Sequence, residues 1–204
     1  YIPISLAALL FFIYPPVVAI LNHVIAKKWP SLIKTISITV AFLGLAVMLG
    51  VDLNQIDLRG VVIGITAGIA CAVNIIWVAR KVSGVHPFVI VFYQSAIASL
   101  IIGVLAWYLD ELRLPNEIGG WLGFLLVGVL QTVSIPFFYF AIQRIGSEPT
   151  AMINNSQPIA SIVAAILIFN EGLTLERFFG AIMVIGGILV TQWDDLKSKK
   201  NKLP

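Results

Sequence analysis

The chain has 204 residues, of which 59% are apolar and only 11% charged, and its mean hydropathy is +1.00. A soluble domain is roughly half apolar and about a quarter charged, so this composition excludes an ordinary soluble enzyme, a nucleic-acid-binding domain and a disordered chain. What remains is an integral membrane protein bathed mostly in lipid, in which the placement of a net charge of +3 matters more than its size.

In chain order, clusters of charge separate seven uncharged apolar stretches, at 2–25, 35–50, 60–79, 87–107, 119–142, 149–169 and 178–193. A helix needs about 20 apolar residues to cross a bilayer. Five stretches meet that length, and the second and seventh, at 16 residues each, fall short of it. Lys34 and Arg177 stand just before these two and are expected to snorkel, which would lengthen both spans. No charged residue falls inside any stretch. Backbone in hydrocarbon must satisfy its own hydrogen bonds, so each stretch is expected to be a helix. The alternating short strands of a membrane β-barrel are not in evidence. Residue 1 is Tyr1 with an apolar stretch directly behind it, which reads as a chain whose beginning is missing rather than a signal peptide. Cys71 is the single cysteine, so no intrachain disulfide and no multi-cysteine metal site is expected.

Short connections make successive loops alternate sides. One side receives Lys27, Lys28, Lys34, Arg80, Lys81, Arg144, Lys197, Lys199, Lys200 and Lys202, and the other receives only Arg59, Arg113 and Arg177. The excess of positive charge makes the first side cytoplasmic, with the basic tail inside and Tyr1 outside a cell (inner) membrane. Trp29, Trp77, Trp107, Trp121 and Trp193 fall near span ends, as an interfacial belt requires.

The first two spans resemble the last two. With Pro15 set on Pro158, an offset of 143 residues, Ile2 meets Ile145, Ala8 meets Ala151, Ile25 meets Ile168, Leu32 meets Leu175, Gly44 meets Gly187 and Val47 meets Val190. Lys34 then meets Arg177, and Ser31 meets Thr174. The two pairs lie five spans apart, an odd number, so the second copy crosses the membrane upside down. Inverted repeats of this kind are typical of secondary transporters. The expected fold class is an all-α polytopic membrane protein of inverted five-helix repeats, ten helices in the full protein and about seven here. Residues 1–51 would be the last two helices of the first repeat, 52–59 an external link, 60–193 the second repeat and 194–204 a basic cytoplasmic tail.

Four stretches carry a family resemblance: Ser5-Leu6-Ala7-Ala8-Leu9-Leu10 with Tyr14-Pro15; Ala72 to Arg80-Lys81; Thr132 through Phe137-Phe138-Tyr139-Phe140-Ala141-Ile142 to Arg144-Ile145-Gly146; and Gln157-Pro158 with Asn170-Glu171-Gly172-Leu173-Thr174 and Gly180 to Gly187. On these the chain resembles the EamA-type transporters of the drug/metabolite transporter superfamily. The resemblance implies ten helices in two inverted halves and movement of small molecules such as metabolites, amino acids or drug-like compounds, often as export. The chain departs from the family pattern at Lys27-Lys28, where Gly-Glu is common, at Tyr14 and Gln157, where Glu often precedes the proline, and at Cys71, where a tryptophan is common.

Polar side chains within lipid are costly unless satisfied or facing a cavity. In the sixth stretch Thr150, Asn154, Gln157, Ser161 and Ala165 recur on one helical face, and Pro158 frees the carbonyl of Asn154. The candidate solute-binding residues are Asn154, Gln157 and Ser161 on that face, Tyr14 on the repeat-related face, and Asn74, Tyr93, Gln94, Gln131 and Tyr139 elsewhere. Ser134 and Asn155 are further intramembrane polar groups, and His23 reads as interfacial. Pro15 and Pro158 are the expected helix breaks. With aromatic groups on one wall, amides on the other and no buried charge, the expected partner is a small neutral or zwitterionic organic solute, with no cofactor, no metal and no nucleic acid. Small residues at Gly64 and Gly68, at Ser37, Ala41 and Gly44, and at Gly180, Val184 and Gly187 make faces for close helix packing or for a homodimer. The alternatives to a transporter are a non-transporting structural membrane subunit and an intramembrane enzyme, and the second lacks a nucleophile with its base inside the spans.

Overall fold

The computed structural model describes residues 2–27, 30–50, 57–110, 114–169 and 174–200, with the side chains at 4, 165–169, 195, 196 and 198–200 left out. Tyr1, Lys28, Trp29, Arg113, Asn170 to Leu173, Lys202 and most of the 52–59 link therefore lie outside the described residues, as do the side chains of Ala165, Lys199 and Lys200. The described chain is helical: α1 Ile4–Phe11, α2 Tyr14–Ala26, α3 Leu32–Leu49, α4 Leu58–Lys81, α5 Pro87–Tyr108, α6 Ile118–Ile145, α7 Ser147–Asn154, α8 Gln157–Phe169 and α9 Leu175–Lys200. Six segments are long and apolar enough to cross a bilayer: Ser5–Ala26, Leu32–Leu49, Leu58–Lys81, Pro87–Tyr108, Ile118–Ile145 and Leu175–Asp194. They correspond to six of the seven stretches expected from sequence. The other, 149–169, falls across α7 and α8. The protein is an all-α polytopic membrane protein.

The breaks follow from proline chemistry. Pro15 and Pro158 each stand second in their helix, where a missing N–H is harmless to the helix that follows and withholds a bond from the helix before. The chain closes each gap with tighter turns: Ile13 N–H donates to the Leu10 carbonyl (3.4 Å), Asn155 N–H to Met152 (3.1 Å) and Ser156 N–H to Ile153 (2.9 Å). Both bounds of α7 lie 143 residues after those of α1, both bounds of α8 lie 143 after those of α2, and α9 starts 143 after α3. The offset read from side chains is thus an offset in backbone geometry as well.

The described chain divides into two compact units, one of residues 1–76 with 147–204 and one of residues 77–146. In the first unit α3 and α9 run antiparallel along a seam of small residues. A Cβ at Gly180 would sit 2.6 Å from the Gly44 carbonyl oxygen, and one at Gly187 would sit 2.6 Å from that of Ser37. Ala41, Gly44, Val184 and Gly187 are buried there. Near one end of the seam the Ser31 hydroxyl donates to Asp194 Oδ2. Gly64 and Gly68 do the same for α4 on α1, where an added Cβ would lie 2.9 Å from the Leu10 side chain and 2.9 Å from the Leu10 carbonyl oxygen, respectively. The small-residue faces are used within the chain.

The second unit holds α5 and α6 with the end of α4. Much of its apolar side chain is outward, including Phe92, Leu100, Ile101, Leu122 and Phe124, as lipid-facing helices require. The close end of α5 and α6 is tied by the Gln143 amide donating to the Val85 carbonyl (2.8 Å) and by the ring of His86 edge-on to Phe140 at 5.3 Å.

One expectation is corrected. Lys34 does not snorkel to the interface: it is 6% exposed and its Nζ lies 2.7 Å from Glu148 Oε1 on α7. The cause is the helix start. Ser31 caps α3, its Oγ accepting the Lys34 N–H at 3.1 Å, so the helix begins at Leu32 and Lys34 falls in the first turn rather than before it. A charged residue therefore lies inside the Leu32–Leu49 segment, which begins three residues before the uncharged stretch at 35–50.

Candidate functional site

The half-helices of the first unit, α1, α2, α7 and α8, hold the candidate site. At one end α2 packs on α7. Asn22 Nδ2 donates to Ser147 Oγ (2.9 Å), and deeper along the same pair Asn154 Nδ2 donates to the Tyr14 hydroxyl (2.7 Å). Low-numbered residues of one helix meet high-numbered residues of the other, so α2 and α7 are antiparallel, as α3 and α9 are. The Lys34–Glu148 ion pair, which adds α3 to this contact, lies at the same end.

Applying the offset to this pair yields α1 and α8, and there the arrangement differs. Ala8 and Phe12 on the α1 side and Gln157, Pro158, Ser161 and Ile162 on α8 line a cavity of about 660 Å³. Its rim is the end of α3, from Val47 to Gly50, and the start of α9, with Glu176 and Arg177. That volume suits a small organic molecule. Two contacts related by the repeat are thus in different states: α2 on α7 is closed by polar bonds, while α1 and α8 have an open cavity between them.

Each candidate residue has a definite place. Gln157 and Ser161 line the cavity, where the Ser161 hydroxyl donates to the Gln157 carbonyl (3.2 Å). Asn154 is half-buried and sits between Tyr14 and Gln157, whose Oε1 is 3.4 Å from its amide. Tyr14 is 1% exposed and does not face the cavity. Its ring lies against Phe11 and Phe12, and its hydroxyl fixes Asn154 from behind. The stripe on the sixth stretch is therefore split by the break: Thr150 is buried in α7, while Gln157 and Ser161 look into open space. Asn155, at the break, is 5% exposed with no hydrogen-bond partner for its Oδ1. His23 Nδ1 lies 2.6 Å from the Ala19 carbonyl one turn back.

Asn74 is half-buried on α4 and does not line this cavity. In the second unit the Tyr139 hydroxyl donates to Gln94 Oε1 (2.6 Å), joining two candidates across α5 and α6. Tyr93 is exposed, edge-on to Phe92. Gln131 is exposed and accepts from the Ser134 hydroxyl at 3.3 Å. The described His, Cys, Asp and Glu side chains form no group able to hold a metal ion. The sequence reading missed Lys34–Glu148 and Asn22–Ser147. One signal was available: Glu148 is the only acid in the connection between the fifth and sixth stretches, on the side where lysines and arginines collect.

Broken helices paired head to tail, membrane-length apolar segments and a cavity with a few polar groups between half-helices are features shared with transporters built from inverted repeats. Comparison with known proteins gives the family. The model of the EamA-like transporter family matches residues 58–193, and the chain belongs to that family. The uncharacterized transporter sll1319 of Synechocystis is 26% identical over 211 aligned residues, covering 99% of this chain and 63% of its own length. A WAT1-related protein of Arabidopsis thaliana, At1g43650, is 28% identical over 113 residues, covering 52% of this chain and 32% of its own length. The chain thus spans under two thirds of these curated relatives. A crystal structure sharing 16% identity superposes over 93% of this chain and 69% of that one with a TM-score of 0.72, which shows a common fold.

Proposed function

We propose that the protein carries small organic solutes across the membrane by alternating access between two inverted copies. Metabolites, amino acids and drug-like compounds are the solute classes, and export from the cytoplasm is the direction. One observation carries the reading: repeat-related helix pairs, α2 on α7 and α1 with α8, are closed at one end and parted around a cavity at the other. A carrier of this architecture exposes its centre to one side at a time, and exchanging the conformations of the copies would open the opposite end. Residues 1–51 act as the end of the first repeat, 52–59 as the link, 60–193 as the second repeat and 194–204 as a cytoplasmic tail. With the basic tail inside, the closed end faces the cytoplasm and the cavity faces out.

Gln157 and Ser161 offer amide and hydroxyl groups to the solute, Asn154 is held by Tyr14 next to Gln157, and Phe12 supplies an apolar wall. Asn74, Tyr93, Gln94, Gln131 and Tyr139 remain candidates for the rest of the path. A neutral or zwitterionic solute fits this set, since Glu176 and Arg177 put opposite charges side by side on the rim. Two variants test the assignment. Asn154→Leu and Gln157→Leu should each reduce solute flux in proteoliposomes to a minor fraction of the parent rate at equal expression. Parental flux in both removes the site. An export profile of metabolites from cells with and without the gene identifies the solute.

A further inference from the structure

The two ends of the first unit are not chemically equivalent, although the repeat relates them. At the closed end Lys34 and Glu148 form an ion pair of 2.7 Å whose side chains are 7% and 13% exposed, beside the Asn22–Ser147 hydrogen bond. Moving each position by the repeat offset of 143 gives the residues that would meet if the cavity end closed the same way. Lys34 becomes Arg177, and Glu148 becomes Ser5. Asn22 becomes Ala165, and Ser147 becomes Ile4. Tyr14 and Asn154 become Gln157 and Phe11. The cation survives the exchange, but its acid does not, and neither cross-helix hydrogen bond has both of its polar groups. The aligned positions at the cavity end therefore do not repeat these three bonds.

We propose that Lys34 and Glu148 are a one-sided latch: their ion pair, with Asn22 and Ser147, locks the basic end of the broken-helix core shut and makes the state with the cavity open the resting state of the carrier. The inference rests on the alternating-access reading and adds to it the residues that set the balance between its two states. An ion pair this far from water is a specificity device more than a source of stability. Formed in one state only, it shifts a two-state equilibrium by the whole of its differential strength. Glu148 is placed for this by its helix, since it lies in the first turn of α7, against α3. The aligned positions at the other end do not repeat these bonds, so that end parts first.

The repeat supplies a matched pair of reporters. Ala8 lines the cavity, and its equivalent Ala151 is fully buried on α7. In the complete gene product carrying Cys71→Ala, Ala8→Cys should react with a membrane-impermeant maleimide and Ala151→Cys should not. Glu148→Gln or Lys34→Met should raise the rate at Ala151→Cys by about tenfold or more, from the opposite face of the membrane. Reversing the pair, Lys34→Glu with Glu148→Lys, should bring it back down. Since Glu148→Gln leaves a buried lysine without its partner and can impair folding, Ser5→Glu gives an independent arm. It touches neither latch residue, places an acid at the position equivalent to Glu148, as Arg177 is equivalent to Lys34, and should lower the rate at Ala8→Cys by a similar factor. Unchanged reactivity at Ala151 in the neutralised variants, or at Ala8 in Ser5→Glu, overturns the latch. Flux of labelled neutral and zwitterionic amino acids, measured in the same vesicles, keeps the two readings apart. A labelling switch without flux of any offered solute counts against the transport reading alone, and flux without a switch counts against the latch alone.

Discussion

The antiparallel seam of α3 and α9 makes a quantitative prediction that depends on backbone proximity alone. A Cβ added at Gly44 would lie 2.5 Å from the Met183 Cβ, 2.8 Å from the Gly180 carbonyl oxygen and 3.0 Å from the Val184 nitrogen. Carbon atoms pack best about 3.5–4.0 Å apart, so Gly44→Ala must push the helices apart by about 1 Å. Overpacking of this kind costs about 1–3 kcal/mol, and the better helix propensity of alanine recovers up to about 1 kcal/mol. The net expectation is a loss of about 1–2 kcal/mol. Gly187→Ala should behave alike, its Cβ falling 2.6 Å from the Ser37 carbonyl oxygen and 2.8 Å from the Ala41 Cβ. Gly186, one residue earlier on the same helix, has nothing within 4 Å of its added Cβ and supplies the control. Gly186→Ala should be neutral or stabilising by up to about 1 kcal/mol. Reversible unfolding in mixed micelles on titration with sodium dodecyl sulfate, followed by tryptophan fluorescence, reads all three. Parental stability in Gly44→Ala and Gly187→Ala, or an equal loss in Gly186→Ala, would refute the close approach.

Two further outcomes can be checked in the same preparations. Tyr139→Phe deletes the hydroxyl that donates to Gln94 at 2.6 Å and should cost about 0.6–1 kcal/mol; a double-mutant cycle with Gln94→Leu should recover that coupling, and a coupling of zero would deny the bond. Pro158→Ala restores an N–H facing the Asn154 carbonyl, so α7 and α8 should join into one straighter helix. Stability should hold or rise while flux falls severalfold, and parental flux would show that the break has no part in transport.

Much of this architecture was legible because lipid leaves the chain few choices. Apolar stretches bounded by charge had to be helices, and the 143-residue offset found in side chains such as Pro15 and Pro158 recurs in the helix bounds. The seam was legible too, since Ser37, Ala41 and Gly44 or Gly180, Val184 and Gly187 share a face at helical spacing. What stayed hidden was the choice of partner. Periodicity placed Thr150, Asn154, Gln157 and Ser161 on one stripe, yet a break at Asn155 and Ser156 turns the two halves to different surroundings. Tyr14 was marked as a polar group needing a partner, but a linear pattern cannot tell whether that partner is a solute or the amide of Asn154, 140 residues away. Lys34 was assigned by proximity to a span end, whereas the hydroxyl cap at Ser31 decided the matter. Hydropathy locates the spans, while pairing between helices depends on distances that no periodic pattern records.

The glycine contact between α3 and α9 has a consequence for motion. These helices are counterparts of one another, so trading the roles of the two copies carries the contact onto itself. It is therefore indifferent to which half of the molecule is bent. Under the alternating access proposed above, backbone set this close on backbone would serve as a bearing, letting the outer half-helices tilt about a line that need not be rebuilt at each turnover.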